Sequence, residues 1–354
     1  MIVKNITLKE VARECGVTPQ TASRILNGTQ AHLHKKETVE QILKTAQILG
    51  YRPNVAAQSM RSGRHRCISL LTSPMPWLNI LSGEFLVPIQ ENLSGLQYNL
   101  ILNVLPEEES RAGKELPGIF RENFVDGILI GITHSIPEWL ESIIRNLEVP
   151  KIWIGSKHET DCIHHDDFGA AYGITDRMVK GGHRKIAYQD LSTSEDCLRG
   201  CHFSVLDRMD GYLKAMKEAG LKPHVVRPEK YLPEECRTAY TMENLIEPFK
   251  PTAVVAYDIP YSGRPFLYSA WKKGLGIPED VSFVSFTPKE QYENDLRISS
   301  FVPNSDLGKK AVRLLSDKIG NGNRPSRPVV LPFDFIEGDT LAGCTPAKKK
   351  RGGK

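Results

Sequence analysis

Apolar residues at helical spacing near the N-terminus predict a short amphipathic helix. Its apolar stripe consists of Leu8, Val11, Ala12 and Cys15. Thr7 and Glu10 fit a capping box, in which each side chain satisfies a backbone N–H at the helix start, and Gly16 suits the position after the helix end. Thr18 then offers a second N-cap, and Pro19 takes a first helical position, where its missing N–H costs nothing. The pattern therefore predicts two helices joined by a tight turn.

Two further sets of apolar positions complete a predicted three-helix unit. The second helix runs to about Leu26 and should bury Ala22, Ile25 and Leu26. A third helix, ended by Gly50 and Pro53, is predicted from Val39, Ile42, Leu43, Ala46 and Leu49. Gln20 and Arg24 share the polar face of the second helix at i, i+4, and both can make bidentate contacts to base edges. A DNA-binding helix-turn-helix is one interpretation, and a plain helical bundle with a solvated charged surface is the other.

The pattern changes after residue 66 to short apolar runs separated by amphipathic stretches. The runs CISLLT, LILNVL, GILIGI, KIWIG, KIAYQ, TAVVAY and SFVSF are typical of buried strands. Such alternation predicts doubly wound parallel sheets. Residues 67–345 are long for one sheet of this kind and suit two lobes, with a cleft at the carboxyl edges of their strands.

Charge divides the chain in the same way. The net charge is +4, yet residues 1–66 carry 11 Lys/Arg against 4 Asp/Glu, or +7. A basic head on an acidic body indicates a nucleic-acid-binding module joined to a part that needs no polyanion. No signal peptide or membrane span is apparent, so we expect a cytoplasmic protein, and the seven scattered cysteines should be reduced thiols.

The N-terminal segments resemble a known family. ITLKEVARECGVTPQTASRILNG and LGYRPNVAAQSMRSG together resemble the DNA-binding headpiece of the LacI/GalR family of bacterial transcription regulators, at almost every position from Ile6 to Gly63. The resemblance implies that Pro19, Gln20 and Arg24 contact bases. It implies phosphate contacts for Thr7, Thr18, Thr21 and Asn27.

The resemblance also implies a hinge helix over residues 54–61, which folds when two subunits meet on DNA. Asn54, Ala57 and Met60 are its expected DNA-contacting residues. The family usually has Leu at the minor-groove wedge where this chain has Met60, and an apolar Met should still insert. A plain linker is the alternative, although Ala56, Ala57, Gln58 and Met60 are good helix formers.

The body is similar, more loosely, to the family's effector domain, whose fold resembles type I periplasmic binding proteins. This implies an all-α helix-turn-helix headpiece on an α/β body of two doubly wound parallel-sheet lobes. We expect a headpiece at 1–52, a hinge helix and linker at 53–66, an effector-binding and dimerisation domain at 67–345 and a basic disordered tail at 346–354. Lobe 1 should comprise about 67–165 and 299–327, and lobe 2 about 166–298 and 328–345, with crossovers near Asp166, Ser299 and Arg327.

The implied effector pocket departs from the family pattern. Arg208 of the R-x-x-G-Y motif is present, but Tyr257 replaces an Asn beside Asp258, and Thr287 replaces an Asp. Trp77, Asn79 and Asp166 complete the expected pocket, with a core or hinge-packing Trp77 as the alternative. The departures predict either an effector different from a simple pyranose or a pocket with no small-molecule ligand.

Other chemistries find little support in the sequence. His164 and His165 are adjacent on a strand and point to opposite faces, and Cys197, Cys201 and His202 lack a second ligand pair, so no metal or other cofactor is expected. No catalytic motif stands out, and a sugar-modifying enzyme is the weakest hypothesis.

We expect a homodimeric repressor of a carbohydrate or related catabolic operon that binds a palindromic double-stranded DNA operator and responds to a sugar or related metabolite. The alternatives are a regulator controlled by a protein partner or by no small ligand, and a cytoplasmic solute-binding sensor.

Overall fold

The computed structural model describes residues 6–27, 31–52, 63–73, 83–105, 118, 124–132, 138–287 and 289–344. The chain divides into two compact units, Met1–Arg66 and Cys67–Lys354. Among the described residues, the first unit is all-α and the second is α/β. No helix among the described residues is long and apolar enough to cross a membrane.

The N-terminal unit contains the three predicted helices. They are α1 (Leu8–Glu14), α2 (Pro19–Leu26) and α3 (Lys36–Leu49), with a 3₁₀ turn at Ala31–Leu33. The capping box is confirmed, because the Thr7 N–H donates to Glu10 Oε2 at 2.7 Å and the Glu10 N–H donates to Thr7 Oγ1 at 3.3 Å. Gly16 and Gly50 both have φ of 66°, as residues after helix ends often do.

The core of this unit is small. It is formed by Val11, Ala12, Ala22, Ile25, Ile42 and Ala46. Leu43, one of the apolar positions from which the third helix was predicted, has a side chain that is 49% exposed. Residues 42 and 43 differ by about 100° around the helix axis, and Ile42 takes the inward position.

In the part of the body that the structure describes, two six-stranded sheets carry helices on both faces. The first sheet has the order β13-β5-β4-β3-β1-β2, formed by Val329–Leu331, Cys162–His165, Lys151–Ile154, Gly127–Gly131, Cys67–Thr72 and Asn99–Val104. All its strand pairs are parallel. One face is covered by α4 (Gly83–Gly95) and α10 (Asp306–Gly320), and the other by α5 (Glu138–Asn146).

The second sheet has the order β14-β12-β9-β8-β6-β7. Its strands are Phe333–Ile336, Ser299–Pro303, Ser282–Phe286, Ala253–Ala256, Ile186–Gln189 and His224–Val226. Helices α6 (Asp167–Lys180) and α7 (Phe203–Glu218) cover one face, and α8 (Glu234–Thr241) and α9 (Arg264–Lys272) cover the other. A two-residue hairpin, β10 (Tyr292–Glu293) and β11 (Leu296–Arg297), follows β9.

The predicted fold class is confirmed, with three differences in detail. Strand β14 runs antiparallel to β12, so the second sheet is mixed. Strand β12 belongs to the second sheet, so the chain returns to the first lobe between Pro303 and Asp306 instead of near Ser299. Strand β13 belongs to the first sheet, which places the third crossover at Pro332 instead of near Arg327.

The second lobe depends on a close approach of α6 and α7. Gly211 of α7 faces the backbone of α6, and a Cβ there would lie 2.3 Å from the Phe168 carbonyl oxygen and 2.9 Å from the Tyr172 nitrogen. Backbone atoms cannot move aside as a flexible side chain can. The contact therefore fixes the distance between the two helices that carry Asp167 and Arg208.

We predict that Gly211→Ala lowers the free energy of unfolding of the body by about 1–3 kcal/mol, because the added methyl group overpacks the helix contact. Gly173→Ala on α6 is the matched control, since its Cβ would meet nothing within 4 Å and Ala favours the helix by about 1 kcal/mol. Urea unfolding followed by tryptophan fluorescence measures this in the body, because residues 1–66 contain no Trp. Equal stability of the two variants would refute the packing argument.

Candidate functional site

The polar face of α2 carries the side chains expected to contact bases. Pro19, Gln20 and Arg24 are exposed, whereas Ala22 and Ile25 on the opposite face are buried. Because Gln20 and Arg24 are four residues apart, their side chains leave the same face one turn apart. A Gln amide and an Arg guanidinium each offer two hydrogen-bonding atoms, which matches the major-groove edges of adenine and guanine.

The residues expected to contact phosphates lie at helix ends. Thr7 caps α1, Thr18 caps α2, and Asn27 ends α2. Thr18 Oγ1 accepts a hydrogen bond from the Thr21 N–H at 3.2 Å, and the two hydroxyl oxygens are 3.0 Å apart. Asn27 Nδ2 donates to Ser23 Oγ at 3.1 Å. Hydroxyl and amide groups in such positions are common phosphate contacts that set the register of a protein on DNA.

Five of the expected site residues lie outside the described residues. They are Asn54, Ala57, Met60, Trp77 and Asn79. The roles of the first three in the hinge and of the other two in the effector pocket stay predictions.

The guanidinium of Arg208 lies where the second sheet meets α6 and α7. Its Nε donates to Asp167 Oδ1 at 2.7 Å, and its Nη1 donates to the Tyr257 carbonyl oxygen at 2.7 Å. The ring centroids of Phe286 and Tyr257 lie 3.8 Å and 4.7 Å from Arg208 Cζ. Asp167 is buried, with 3% of its surface exposed. Two of the donors expected to capture an effector are thus already bound within the protein.

Asp166 lies at the first crossover between the lobes and is exposed. Its Oδ1 accepts a hydrogen bond from the Gly169 N–H at 2.8 Å, which caps α6. A Cβ on residue 169 would lie 2.1 Å from Asp166 Oδ2, so the glycine makes room for the cap. Asp166 can still face a ligand, but its first role here is structural.

Tyr257 and Asp258 follow β8 at the carboxyl edge of the second sheet. The Tyr257 hydroxyl lies 2.9 Å from Ser204 Oγ. Asp258 Oδ1 accepts hydrogen bonds from the N–H groups of Tyr261 at 3.1 Å and Ser262 at 2.8 Å. These are the main-chain donors of the π-helical turn Ile259–Gly263, so the carboxylate acts as its cap.

Burial raises the pKa of Asp258 to about 6, and repulsion from the carboxylate of Asp190 acts in the same direction. The hydrogen bonds from Ser262 and Tyr261 oppose this rise because they favour the charged carboxylate. Burial also raises the pKa of the Tyr257 hydroxyl. Near neutral pH this side of the site therefore contains a neutral phenol and a carboxylate that protonates readily.

Thr287 follows β9 and is 4% exposed. Its N–H donates to the Phe301 carbonyl oxygen at 3.0 Å, while its Oγ1 is buried and has no hydrogen-bond partner in the part of the chain that the structure describes. The Nε2 atom of His165, at the end of β5, is in the same situation. Thr287 does not replace the charge of the Asp that the family pattern has at this position.

A buried ion pair in the second lobe was missed by the sequence analysis. Arg227 Nη2 donates to Asp190 Oδ2 at 3.1 Å, and the two side chains are 1% and 0% exposed. Asp190 Oδ1 also accepts from the N–H and hydroxyl of Ser192 and from the Thr193 N–H. The available signal was the position of Asp190 directly after the apolar run KIAYQ, at the carboxyl edge of a predicted sheet.

Comparison with known families matches both units. Residues 7–54 match the model of bacterial regulatory proteins of the lacI family, and residues 175–341 match the model of a periplasmic binding protein-like domain. Among curated relatives, the transcriptional regulator RegA of Clostridium saccharobutylicum is 26% identical over 94% of this chain and 98% of its own. Catabolite control protein A of Priestia megaterium is 27% identical over 93% of this chain and 97% of its own.

The chain is thus similar to the lacI family of bacterial regulatory proteins in its N-terminal unit, and its curated relatives match it over almost its whole length. These matches support a DNA-binding transcription regulator. The purine repressor PurR of Vibrio vulnificus, 26% identical over 95% of this chain and 98% of its own, is a third relative. These relatives are transcription regulators and not enzymes, in agreement with the expectation from the sequence.

Solved structures show the same fold. A lac repressor dimer bound to operator and the anti-inducer ONPF superimposes with a TM-score of 0.72 at 21% identity, over 96% of this chain and all of that chain. The regulator CelR in complex with cellobiose gives a TM-score of 0.62 at 20% identity, over 95% of this chain and all of that chain. The likeness confirms the lac repressor-like architecture of the lobes.

We predict that Asp258→Asn raises the free energy of unfolding by about 2–3 kcal/mol at about pH 8, because it keeps the capping oxygen and removes a buried charge. The raised pKa means that the folded state holds the proton more tightly, so stability is lost as pH rises from the ordinary carboxyl pKa of 3.8 to about 6. The gain from the variant should therefore shrink between pH 6 and pH 4. Urea unfolding at several pH values measures this.

The matched control is Asp210→Asn on α7, where the side chain is exposed. It should change stability little at any of these pH values. A gain at position 258 that did not depend on pH would contradict the assignment.

Proposed function

We propose that this regulator is a repressor that recognises a specific palindromic operator through the exposed pair Gln20 and Arg24. The observation that carries the proposal is their common orientation on α2, with Ala22 and Ile25 holding the opposite face in the core. The element that enters the major groove is then α2, and the threonines at the helix ends fix its register on the phosphates. Residues 1–52 form the headpiece in this proposal, and residues 53–66 form the hinge helix and linker.

We predict that Arg24→Ala weakens binding to the cognate operator by about 1–3 kcal/mol and changes binding to random DNA little, because a bidentate contact to guanine discriminates between bases. Arg24→Lys is the matched control. It keeps the charge but loses the planar fork, so it should lose most of the specificity as well. The measurement is a titration by fluorescence anisotropy at fixed salt, with an operator obtained by selection from a random DNA pool. Equal losses on both DNAs would show that Arg24 contacts only phosphate.

The same proposal requires two headpieces, and exposed apolar residues indicate where two copies could meet. Strand β2 is an edge strand of the first sheet, and Leu102 and Val104 on it are each 49% exposed. Val87 on the neighbouring helix α4 is 53% exposed. A lac repressor of the same fold is solved as a dimer on operator DNA. We propose that this edge forms part of a homodimer interface.

We predict that Val104→Glu weakens the dimer at least about tenfold, because a carboxylate would be desolvated at a symmetric apolar contact. The matched control is Val330→Glu, since Val330 is 52% exposed on β13 at the opposite edge of the same sheet. Sedimentation velocity over a range of concentrations measures the association. An unchanged dimer in the Val104 variant, or an equal loss in the Val330 variant, would remove this edge from the interface.

We also propose that an effector acts between the two lobes, and that it is not a simple pyranose. Arg208, Tyr257 and Asp258 already hydrogen-bond to groups of the protein, and Thr287 contributes no charge. The second candidate is a regulator that binds no small ligand and is controlled by a partner protein. The same observation favours it, because the hydrogen-bonding groups of Arg208, Tyr257 and Asp258 already have partners within the protein. Repeating the operator titration with catabolic sugars, their phosphates and nucleobases distinguishes the two, because only an effector-controlled regulator changes its operator affinity.

A further inference from the structure

The first turn of α7 connects the two lobes of the body directly. His202, which precedes α7 in the second lobe, places its Nε2 2.6 Å from the carbonyl oxygen of Gly155 in the first lobe. Lys157 forms an ion pair with Asp207 across the same gap. The Phe203 ring packs edge-on against His164 of β5, with centroids 5.2 Å apart.

His202 also begins a hydrogen-bond chain that reaches Tyr257. Its Nδ1 accepts from the Ser204 N–H at 3.3 Å and lies 2.7 Å from Ser204 Oγ. Ser204 Oγ in turn lies 2.9 Å from the Tyr257 hydroxyl. The chain therefore links the end of β8, the start of α7 and the loop after β4.

The directions of these hydrogen bonds follow from the groups at the two ends. A carbonyl oxygen only accepts, so His202 Nε2 must carry the proton that it donates to Gly155. A backbone N–H only donates, so His202 Nδ1 must be unprotonated to accept from Ser204. The Ser204 hydroxyl then donates to Nδ1 and accepts from the Tyr257 hydroxyl. Every contact is satisfied by one tautomer of the neutral imidazole.

We propose that His202, Ser204 and Tyr257 form a latch that holds the two lobes together while His202 is neutral and releases them when it is protonated. Protonation would place two N–H groups, those of His202 Nδ1 and Ser204, against each other. The Ser204 N–H would lose its acceptor, and α7 would lose the cap that orients the imidazole. Nε2 would still donate to Gly155, so the lobes separate because the ring that makes this contact is no longer held in place. Tyr257, where the family pattern has Asn, supplies the hydroxyl at the far end of the latch.

Burial has the largest effect on the pKa of His202, although several charged groups surround the ring. The groups that face it are Asp167 on α6, Asp207 and Arg208 on α7, Lys157 in the loop after β4, His164 on β5 and Tyr257 after β8. Burial lowers the pKa of His202, while Asp167, Asp207 and the contact with Gly155 partly oppose this and Arg208 adds to it. The closed lobes thus favour the neutral imidazole, consistent with the tautomer that the contacts require.

The pH dependence has a definite sign. A His with a lowered pKa in the closed state binds fewer protons there than when the lobes are apart, so closure is favoured at higher pH. The latch should be complete above the ordinary His pKa of about 6.5 and weaken as pH falls below it. Under the proposed function, this would make operator affinity depend on pH, and that step alone rests on the proposal that lobe closure controls DNA binding.

Hydrogen–deuterium exchange of the full-length protein without DNA tests the latch. The segments to follow are 155–158 and 201–206, at about pH 7.5 and about pH 5.5, after correction for the intrinsic exchange rate. We expect protection at the higher pH and exchange faster by about tenfold at the lower pH. His202→Asn should exchange fast at both pH values, because Asn still caps α7 but is too short to donate to Gly155.

The control is His224→Asn. His224 makes its contacts within the second lobe, to Asn244 and Phe249, so this variant should keep the pH response of the original protein. Tyr257→Phe removes only the last donor of the chain and should give an intermediate loss of protection. It provides the test if His202→Asn does not fold, as judged by circular dichroism.

Protection that is the same at both pH values in the original protein would overturn the proposal. So would full protection in a folded His202→Asn or, failing that, in Tyr257→Phe. Operator titration of the same variants is a separate measurement. If exchange follows the prediction but operator affinity does not change, the latch stands and the link between closure and DNA binding fails.

Discussion

The second lobe is organised around the guanidinium of Arg208. The buried Asp167 binds it from α6, the Tyr257 carbonyl binds it from the end of β8, and Phe286 of β9 stacks on it. Phe333 of β14 lies 5.8 Å away by ring centroid. Two helices and three strands therefore meet at one cation. A buried charge is tolerated only when paired and hydrogen-bonded, so removing any one of these partners affects the others.

Arg208 of the R-x-x-G-Y motif is therefore present with donors that are bound within the protein. In a cleft that binds a ligand, an arginine fork is useful when its donors point outward. Here Nε and Nη1 point to the protein, and Tyr257 joins Ser204 and His202 in place of a ligand-facing amide. The residues expected to contact an effector thus include polar groups of the expected kinds, but many of these groups bind one another.

The sequence alone was sufficient to predict the features that depend on neighbouring residues in the chain. The capping box of Thr7 and Glu10, the Thr18 cap and the glycines at positions 16 and 50 were all predictable, because each depends on residues within one turn. The long apolar runs also located β1, β3 and β9 closely. In each case the signal lies in the segment itself.

Features that depend on distant segments were harder to predict. Strands β7, β12, β13 and β14 are short or polar at several positions, and neighbours far away in sequence make them strands. The crossover at Pro303 was misplaced for this reason. Asp190 and Arg227 are 37 residues apart, and nothing local marks them as an ion pair. The partners of Arg208 and His202 likewise come from several elements. Motifs alone therefore could not show that the hydrogen-bonding groups of these two side chains already have partners within the protein.

The three crossovers have a mechanical consequence. The chain passes between the lobes at Asp166, after Pro303 and at Pro332, and the Asp166 N–H donates to the Leu331 carbonyl oxygen at 2.8 Å, which ties the first passage to the third. A protease cut in any one passage would leave two intact tethers. The nicked body would then stay in one piece under native conditions and come apart into fragments only in denaturant.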